Sequence, residues 1–187
     1  PLHLPSAMTA GVLGAGRIGR YAANQLAGLG FRVICHDIVE PDETFAATMV
    51  SFDELVSTSD VLTLHIPGPS GASLFDAAVM ERLRPGCVLV NTARGGLIDQ
   101  NALAAGLAEG RPGFAALDVF AKEPPDLGVF ADVQDRMLFS PHMAWYTDES
   151  ERDMRLKAAM EARRILLGEP PKDLVVDPRN GGTSRNA

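Results

Sequence analysis

The sequence predicts an α/β protein with a doubly wound parallel sheet, and three observations carry this prediction. Short apolar runs alternate with helix-like segments, which is typical of parallel strands that helices cover on both faces. A glycine-rich turn joins the first apolar run to the first helix-like segment. The chain has 187 residues, of which 46% are hydrophobic and 22% charged, and this suits one globular domain.

Seven strands and five helices are predicted in alternation. The strands are expected at residues 9–13, 31–36, 45–50, 60–66, 87–91, 114–119 and 137–139. The helices are expected at residues 17–29, 51–57, 73–83, 99–109 and 148–167. Side-chain oxygens at a helix start can accept from unpaired backbone N–H groups, which predicts caps at Ser51, Ser73, Asp99 and Asp148. Gly30 and Gly168 are expected to end the first and last helices.

The first and last helices each contain apolar residues that are expected to pack. In the first helix, the predicted apolar side is formed by Ile18, Tyr21, Ala22, Leu26 and Leu29. In the last helix, apolar contacts are expected from Met154, Leu156, Ala159, Ile165 and Leu166. Around these helices, the chain is expected to divide into a linker (1–8), a nucleotide-binding domain (9–168) and a polar C-terminal tail (169–187).

Charge and cysteine content exclude several classes of function. The formal net charge is −7, and no basic face is visible, so nucleic acid is not an expected ligand. No apolar run has membrane-spanning length and no signal peptide opens the chain, so no membrane partner is expected. The two cysteines, Cys35 and Cys87, fall in predicted strands, where buried reduced thiols and a cytoplasmic location are expected. No metal site is predicted.

Gly14, Gly16 and Gly19 follow the first strand and fit the dinucleotide-binding pattern G-x-G-x-x-G. Gly14 permits a tight turn, Gly16 lets the backbone approach a pyrophosphate, and Gly19 lets the helix pack closely on the strand. The second strand ends in Asp37, whose carboxylate can accept from an adenosine ribose and would repel a 2′-phosphate. The sequence therefore favours NAD over NADP. Glycines used only for packing in a βαβ unit would leave this acid unexplained.

Polar groups that are scattered in sequence follow the ends of the predicted strands. Because the carboxyl ends of parallel strands meet at one edge, these groups are expected to converge there. They are the glycine turn, Asp37, residues 65–67, residues 92–94, Asp118 and His142. The sequence therefore predicts a ligand site at this edge of the sheet.

Three residues in or near this group have the chemistry to act on a substrate. Arg94 carries a planar guanidinium that matches a carboxylate bidentately, although an arginine here can also lie at the surface and close a helix start. The imidazole of His142 can exchange a proton near neutral pH, although a loop histidine is often structural. Glu123 can raise the pKa of a neighbouring imidazole, although a glutamate before a proline is often a solvated charge.

Three segments resemble the signatures of the D-isomer-specific 2-hydroxyacid dehydrogenase family. They are residues 91–99 (NTARGGLID), 117–124 (LDVFAKEP) and 140–142 (SPH), and they follow a matching glycine turn in the order and spacing of the family. The resemblance covers residues 9–168 and implies a Rossmann nucleotide-binding domain with NAD as its cofactor. Family members also carry a separate substrate domain, most of which is expected to be absent from this chain. The tail at 169–187 would then return to that domain.

The resemblance implies a role for each matching residue. Arg94 binds the substrate carboxylate, His142 exchanges a proton with the substrate oxygen, and Glu123 is the partner of His142. Arg17 and Ile18 lie over the pyrophosphate. The implied cofactor contacts also include Gly14, Gly16, Gly19, Asp37, His65, Pro67, Thr92, Ala93, Asp118 and, beside the nicotinamide, Arg94 and His142.

Residues 142–150 resemble the branch that contains the C-terminal-binding-protein corepressors and their bacterial dehydrogenase relatives. In that branch a tryptophan helps to shape the substrate pocket, so Trp145 is either a pocket residue or packs beneath the last helix. Residues 65–69 depart from the commoner family form, which has a threonine further into this loop. This departure puts the cofactor contacts of the loop in question.

The predicted function is hydride transfer between NAD(H) and a small D-2-hydroxy acid or 2-keto acid. With one wall of the cleft absent, NAD binding with weak or absent turnover is expected of the isolated chain. Two alternatives stay open: an NAD-sensing protein-interaction module without turnover, and oxidation of a small anion such as formate or phosphite. A homodimer is expected from the last helix and from the resemblance.

Overall fold

The computed structural model describes residues 3–39, 41, 44–69 and 71–172. The strands are β1 (Thr9–Leu13), β2 (Arg32–His36), β3 (Thr48–Met49), β4 (Val61–Leu64), β5 (Val88–Asn91), β6 (Phe114–Leu117) and β7 (Met137–Phe139). The α-helices are α1 (Arg17–Gly28), α2 (Phe52–Thr58), α3 (Ala77–Arg82), α4 (Gln100–Glu109) and α5 (Asp148–Leu166). The predicted α/β alternation is confirmed.

The seven strands form one sheet in the order β3-β2-β1-β4-β5-β6-β7, and every neighbouring pair is parallel. The order reverses direction between β1 and β4, because the chain first builds outward to β3 and then crosses back. In sheets of this kind the loops diverge at that point and leave a crevice at the carboxyl ends of the strands. The predicted doubly wound sheet is therefore confirmed.

Both faces of the sheet are covered, as the apolar strands require. Successive residues of a strand point to opposite faces. In β1, Val12 belongs to one buried apolar cluster together with Ala23 of α1. The next residue, Leu13, belongs to a second and larger cluster that includes Leu55 and Leu62. The two clusters explain why the inner strands are apolar at almost every position.

The predicted apolar side of α1 is wrong at Ile18, Tyr21 and Leu29, whereas Leu26 is partly buried and packs against the core. The helix buries Gly19 and Ala23, whereas Ile18, Tyr21 and Leu29 are 72%, 68% and 67% exposed. A Cβ at Gly19 would lie only 1.8 Å from the carbonyl oxygen of Gly14. Small residues therefore let the helix approach the glycine turn, and the bulkier side chains of Ile18 and Tyr21 stay exposed.

The predicted helix at 73–83 begins later than expected, and its predicted cap is wrong. Asp76 caps α3 by accepting a hydrogen bond from Val79 N–H at 2.9 Å, so Ser73 is not the cap. Phe75 lies in extended backbone, where its N–H donates to Leu97 O at 2.9 Å. Its ring is fully buried. Burial of this ring and the bridge between Phe75 and Ile98 outweigh the local helix pattern.

Two of the other predicted caps are confirmed. Ser51 caps α2 by accepting from Glu54 N–H, and Asp99 caps α4 by accepting from the N–H groups of two following residues. At α5 the prediction is off by one residue, because Thr147 caps the helix and forms a reciprocal pair with Ser150. Gly168 follows this helix with φ +71°, as its predicted role as a helix end requires.

The chain divides into two compact units, Pro1–His142 and Met143–Ala187. No residue of α5 is buried among the residues that the structure describes. The expected apolar contacts are therefore wrong within this chain, since Met154, Leu156, Ala159, Ile165 and Leu166 are all exposed. The predicted tail lies outside the described residues from position 173 onward. Within the predicted linker, Pro5–Ala7 form a 3₁₀ helix. None of the described helices has the length and apolar character needed to cross a bilayer.

Candidate functional site

The glycine turn stands directly after β1, at the carboxyl edge of the sheet. Gly14 has φ +105°, and a Cβ there would meet His65 O at 2.5 Å, so both its conformation and its surroundings require glycine. Gly19 is packed against this turn. Gly16 differs, because a Cβ there would meet no atom within 4 Å. The middle glycine therefore faces open space in front of the helix start.

Helix α1 presents unpaired backbone N–H groups to this space. The first N–H to bond back within the helix is that of Arg20, which donates to Gly16 O at 3.0 Å. The N–H groups of Arg17, Ile18 and Gly19 consequently have no intrahelical acceptor. Together with the positive end of the helix dipole, they suit an anionic phosphate group. The side chains of Arg17 and Ile18 are exposed beside it.

Asp37 follows β2 and holds the glycine turn in place. One carboxylate oxygen accepts from Ala15 N–H at 2.6 Å, and the other accepts from Val39 N–H at 3.0 Å. A carboxylate has about four lone-pair sites, so both oxygens can still accept from a ribose hydroxyl. The anchoring of the turn by Asp37 was not predicted from the sequence, since the two residues are twenty-two positions apart.

His65 supports the glycine turn from β4. The backbone N–H of His65 donates to Leu13 O at 2.7 Å. Its ring Nε2 lies 3.0 Å from the Thr63 hydroxyl. Burial lowers the pKa of the imidazole and so favours its neutral form. The loop after His65 reaches the next strand end, because a Cβ at Gly68 would meet Arg94 Cγ at 3.4 Å. Pro67 is exposed in this loop.

The turn after β5 is shaped by a buried asparagine. Asn91 Oδ1 accepts from Ala93 N–H, and Asn91 Nδ2 donates to Arg94 O, both at 3.0 Å. Thr92 and Arg94 are exposed on this turn. The glycine after Arg94 is needed by its neighbours, since a Cβ at Gly95 would lie 1.9 Å from the carbonyl carbon of Phe120. Gly95 therefore lets the Arg94 turn approach the loop after β6.

Glu123 bridges the loop after β6 and the turn after β7. Its Oε1 accepts from Phe120 N–H at 3.1 Å, and its Oε2 lies 2.8 Å from His142 Nδ1. The His142 N–H donates to Asp118 O at 2.9 Å. Because Nδ1 faces the carboxylate, proton exchange between the imidazole and a substrate would use Nε2.

Arg94, Glu123 and His142 line one cleft of about 270 Å³, together with Gly95, Val119, Phe120 and Ala121. A neighbouring cavity of about 350 Å³ also borders Glu123 and His142, and its other walls are formed largely by apolar and proline residues. The structure thus brings together the three residues whose side chains could act on a substrate. They come from turns after three consecutive strands of the sheet, β5, β6 and β7.

Two further predicted site residues have different surroundings. Asp118 is 3% exposed, and its Oδ1 accepts from the Ser140 hydroxyl at 2.5 Å. Trp145 belongs to the unit that begins at Met143, where it is 47% exposed and lies edge to face with Tyr146 at 5.3 Å between ring centroids. The pocket role of Trp145 stays a prediction.

Hydrogen bonds control the charge of Glu123. The His142 imidazole, and after it the Phe120 N–H, hold the pKa of the Glu123 carboxyl below its usual range. Both interactions favour the ionised form of the acid. The folded-state pKa is the lower one, so the contact is complete above the ordinary carboxyl pKa and is lost as the pH falls through the lowered value.

Replacing His142 by asparagine is expected to move the titration of Glu123 to higher pH, because the main donor that stabilises its carboxylate is removed. The measurement is a carbon-detected NMR titration of the Glu123 carboxyl carbon in the wild type and in His142→Asn. The carboxyl of Glu109, at the end of α4, serves as an internal reference in both spectra. Identical Glu123 titration curves in the two proteins would contradict the pairing.

Comparison with known proteins places these features in a family. The family described as "D-isomer specific 2-hydroxyacid dehydrogenase, NAD binding domain" matches residues 2–144. A D-lactate dehydrogenase from Treponema pallidum is 37% identical over 175 residues, which are 86% of this chain and 53% of that protein. A D-3-phosphoglycerate dehydrogenase from Synechocystis is 34% identical over 177 residues, covering 91% of this chain and 31% of that protein.

A solved structure shows the same architecture with a nucleotide bound. It is the NAD-complexed form of a D-isomer-specific 2-hydroxyacid dehydrogenase from Lactobacillus delbrueckii ssp. bulgaricus, with a TM-score of 0.84 and 27% identity. The match covers 94% of this chain and 58% of that chain. This chain therefore spans between about a third and somewhat more than half of the length of these relatives.

Proposed function

Because this chain belongs to the D-isomer-specific 2-hydroxyacid dehydrogenase family, we propose that it is the cofactor-binding part of an NAD-dependent oxidoreductase. The substrate is a small 2-keto acid, or a D-2-hydroxy acid in the reverse direction. The observation that carries this proposal is the shared cleft of Arg94, Glu123 and His142. A pure NAD sensor would need no such combination of a carboxylate-binding cation and an acid–base pair.

The residues at the glycine turn fit NAD. The open space at Gly16 and the N–H groups at the start of α1 accommodate the pyrophosphate, and Asp37 accepts from the adenosine ribose. Asp37 would repel a 2′-phosphate, which favours NAD over NADP. When bound, the nicotinamide supplies the hydride for reduction of a carbonyl carbon, or accepts it in the reverse reaction.

Arg94 binds and orients the substrate. Its side chain is exposed and lines the cleft, where one guanidinium N–H donates to Ala93 O at 2.7 Å. The other N–H groups of the planar guanidinium offer a fork to the carboxylate of a 2-keto acid. The Asn91 side chain bonds to the N–H of Ala93 and to the carbonyl oxygen of Arg94. The turn that carries the guanidinium therefore has a defined shape. Fixing the carboxylate also fixes the adjacent keto group relative to His142.

His142 moves the proton. Its Nε2 donates a proton to the carbonyl oxygen during reduction and accepts it during oxidation. Glu123 Oε2 contacts the opposite ring nitrogen, Nδ1, and this hydrogen bond lowers the pKa of the Glu123 carboxyl. The ionised carboxylate thereby orients the ring so that Nε2 faces the substrate. Phe120 N–H keeps the carboxylate in place for this contact.

Binding and turnover are tested separately. NADH is titrated into the 187-residue chain and followed by its fluorescence. NADH oxidation by the complete protein that carries this chain is then screened with glyoxylate, hydroxypyruvate, pyruvate and phenylpyruvate. We expect binding in the first experiment and oxidation with at least one acid in the second. Absence of NADH binding, or binding without reduction of any 2-keto acid, would count against the proposal.

Gly16→Ala is expected to weaken NADH binding without affecting stability. The new methyl group meets no protein atom, so it fills only the space that the pyrophosphate would use. A loss of about 10-fold in affinity corresponds to about 1.4 kcal/mol. The measurements are NADH titration and thermal unfolding, with Gly28→Ala, also in open surroundings, as the matched control. Unchanged NADH affinity in Gly16→Ala would place the pyrophosphate elsewhere.

We also propose a homodimer with a cytoplasmic location. Both cysteines are unpaired and buried, which is usual where thiols are kept reduced. Burial, and to a smaller extent nearby carboxylates, raises the pKa of Cys35 and of Cys87 to about 12. Neither thiol is therefore available as a thiolate for disulfide exchange.

Sedimentation analysis of the complete protein measures its oligomeric state, and we expect the mass of a dimer.

A further inference from the structure

We propose that Ser140 is a positioning residue for His142 and acts through Asp118. The contribution to turnover rests on the proposed function, whereas the positioning itself does not. The inference starts from the backbone of His142, which has φ +52° and is the sole non-glycine residue with positive φ in the described part of the chain. This left-handed conformation is unfavourable for most side chains, so neighbouring contacts must hold it.

Asp118 supplies contacts on both sides of Pro141. Its carbonyl oxygen accepts from His142 N–H at 2.9 Å, and its carboxylate Oδ1 accepts from the Ser140 hydroxyl at 2.5 Å. Asp118 is itself held by a hydrogen bond from its N–H to Asn91 O at 3.0 Å. A hydrogen bond to a buried carboxylate is stronger than one between neutral groups. The turn at 140–142 is therefore held to Asp118 by these two hydrogen bonds, in addition to the backbone bond from Ser140 N–H to Leu117 O at 3.0 Å.

The same short segment also fixes the partner of His142. Phe120, two residues after Asp118, donates its N–H to Glu123. Residues 118–120 therefore form a hydrogen bond with each member of the His142–Glu123 pair. Without the Ser140 hydroxyl, its hydrogen bond to the Asp118 carboxylate is lost. The backbone of His142 can then relax out of the left-handed region, and its ring moves away from Glu123 Oε2.

The Glu123 titration distinguishes a positioning role of the Ser140 hydroxyl from a merely structural one. If Ser140 only satisfies the buried carboxylate, its removal lowers the melting temperature and does not move the Glu123 titration to higher pH. The charge of Asp118 raises the pKa of Glu123, so a weaker charge there would act in the opposite direction. If Ser140 positions His142, removal moves the Glu123 titration to higher pH, toward its position in His142→Asn. The Glu123 carboxyl carbon therefore reports the geometry directly and without turnover.

The test compares Ser140→Ala with Ser140→Thr, which restores a hydroxyl. We expect Ser140→Ala to lose at least half of the difference in Glu123 midpoint between wild type and His142→Asn, and Ser140→Thr to recover it. In the complete protein, kcat is expected to fall about 10-fold in Ser140→Ala while KM stays within about 2-fold, because small displacements of a proton donor reduce the rate of the chemical step. Ser57→Ala, on the surface of α2, is the control.

Two results would overturn the proposal: a wild-type Glu123 titration in Ser140→Ala, or no recovery in Ser140→Thr. If Ser140→Ala does not fold, Ser140→Val replaces it, since valine has the shape of threonine and lacks the hydroxyl. A complete wild-type protein without dehydrogenase activity would refute the proposed function. It would leave the Glu123 titration, and hence the positioning role, to be judged on its own result.

Discussion

Arg94→Ala is expected to lower kcat/KM for the 2-keto acid by about 10³-fold in the complete protein, or about 4 kcal/mol of transition-state stabilisation. The guanidinium is the cation of the cleft that can bind a carboxylate through two parallel hydrogen bonds. Its loss removes both binding energy and the orientation of the keto group toward His142. NADH affinity should stay within about 3-fold, because the pyrophosphate and ribose contacts lie at the other strand ends.

The control variants separate the charge of Arg94 from its shape. Arg94→Lys keeps the positive charge but not the planar fork, so we expect it to recover only a minor part of the lost kcat/KM. Arg32→Ala removes an exposed arginine at the amino end of β2, away from the cleft, and should leave the kinetics unchanged. Full activity in Arg94→Ala would remove this residue from the mechanism. Loss of NADH binding in the same variant would assign it to the cofactor instead.

Sequence patterns were sufficient where local chemistry decides the structure. The first strand and the last strand have the predicted bounds, and the turn between β1 and α1 has the predicted form. An apolar run followed by glycines leaves the backbone few alternatives. The residues after the strand ends were also predictable as a group, because the parallel order places all carboxyl ends at one edge.

Tertiary contacts account for the errors. Hydrophobicity along α1 favoured the side with Ile18 and Tyr21, but close approach of the helix to the glycine turn requires Gly19 and Ala23 instead. The buried Phe75 was assigned to a helix because its pairing with residues 97–98 is invisible in local sequence. The 3₁₀ segment Leu127–Arg136, which buries a phenylalanine, was not predicted at all.

The candidate site shows the same division. The residue types of Arg94, Glu123 and His142 indicate their chemistry, and motif spacing locates them at strand ends. What sequence could not provide is the packing that brings them together. The backbone of Phe120 passes where a side chain at residue 95 would be, and it also donates to Glu123. A glycine after Arg94 was visible in the sequence, but its neighbour was not.

His142→Gly is expected to reduce kcat by about 10³-fold, within the range that general acid–base catalysis contributes. Glycine is the most suitable replacement because His142 has φ +52°, a conformation that glycine adopts without strain. A decrease in kcat then reflects the missing imidazole and not a distorted backbone. NADH affinity should change little, since the glycine turn and Asp37 are unaltered.

Removing the ring in His142→Gly leaves a space that added imidazole can enter. Rescue of activity by imidazole is expected if His142 transfers the proton, and not if its role is only structural. If His142 transfers the proton, added imidazole should occupy the cavity beside Glu123 and restore part of kcat in a concentration-dependent and saturable way. Because only the unprotonated base accepts a proton during oxidation of the hydroxy acid, rescue in that direction should increase as the pH rises through the pKa of free imidazole. N-methylimidazole, which lacks the N–H that Glu123 would bind, should rescue less well. Retention of wild-type kcat in His142→Gly, or a loss that no imidazole concentration relieves, would mean that the proton reaches the substrate by another route.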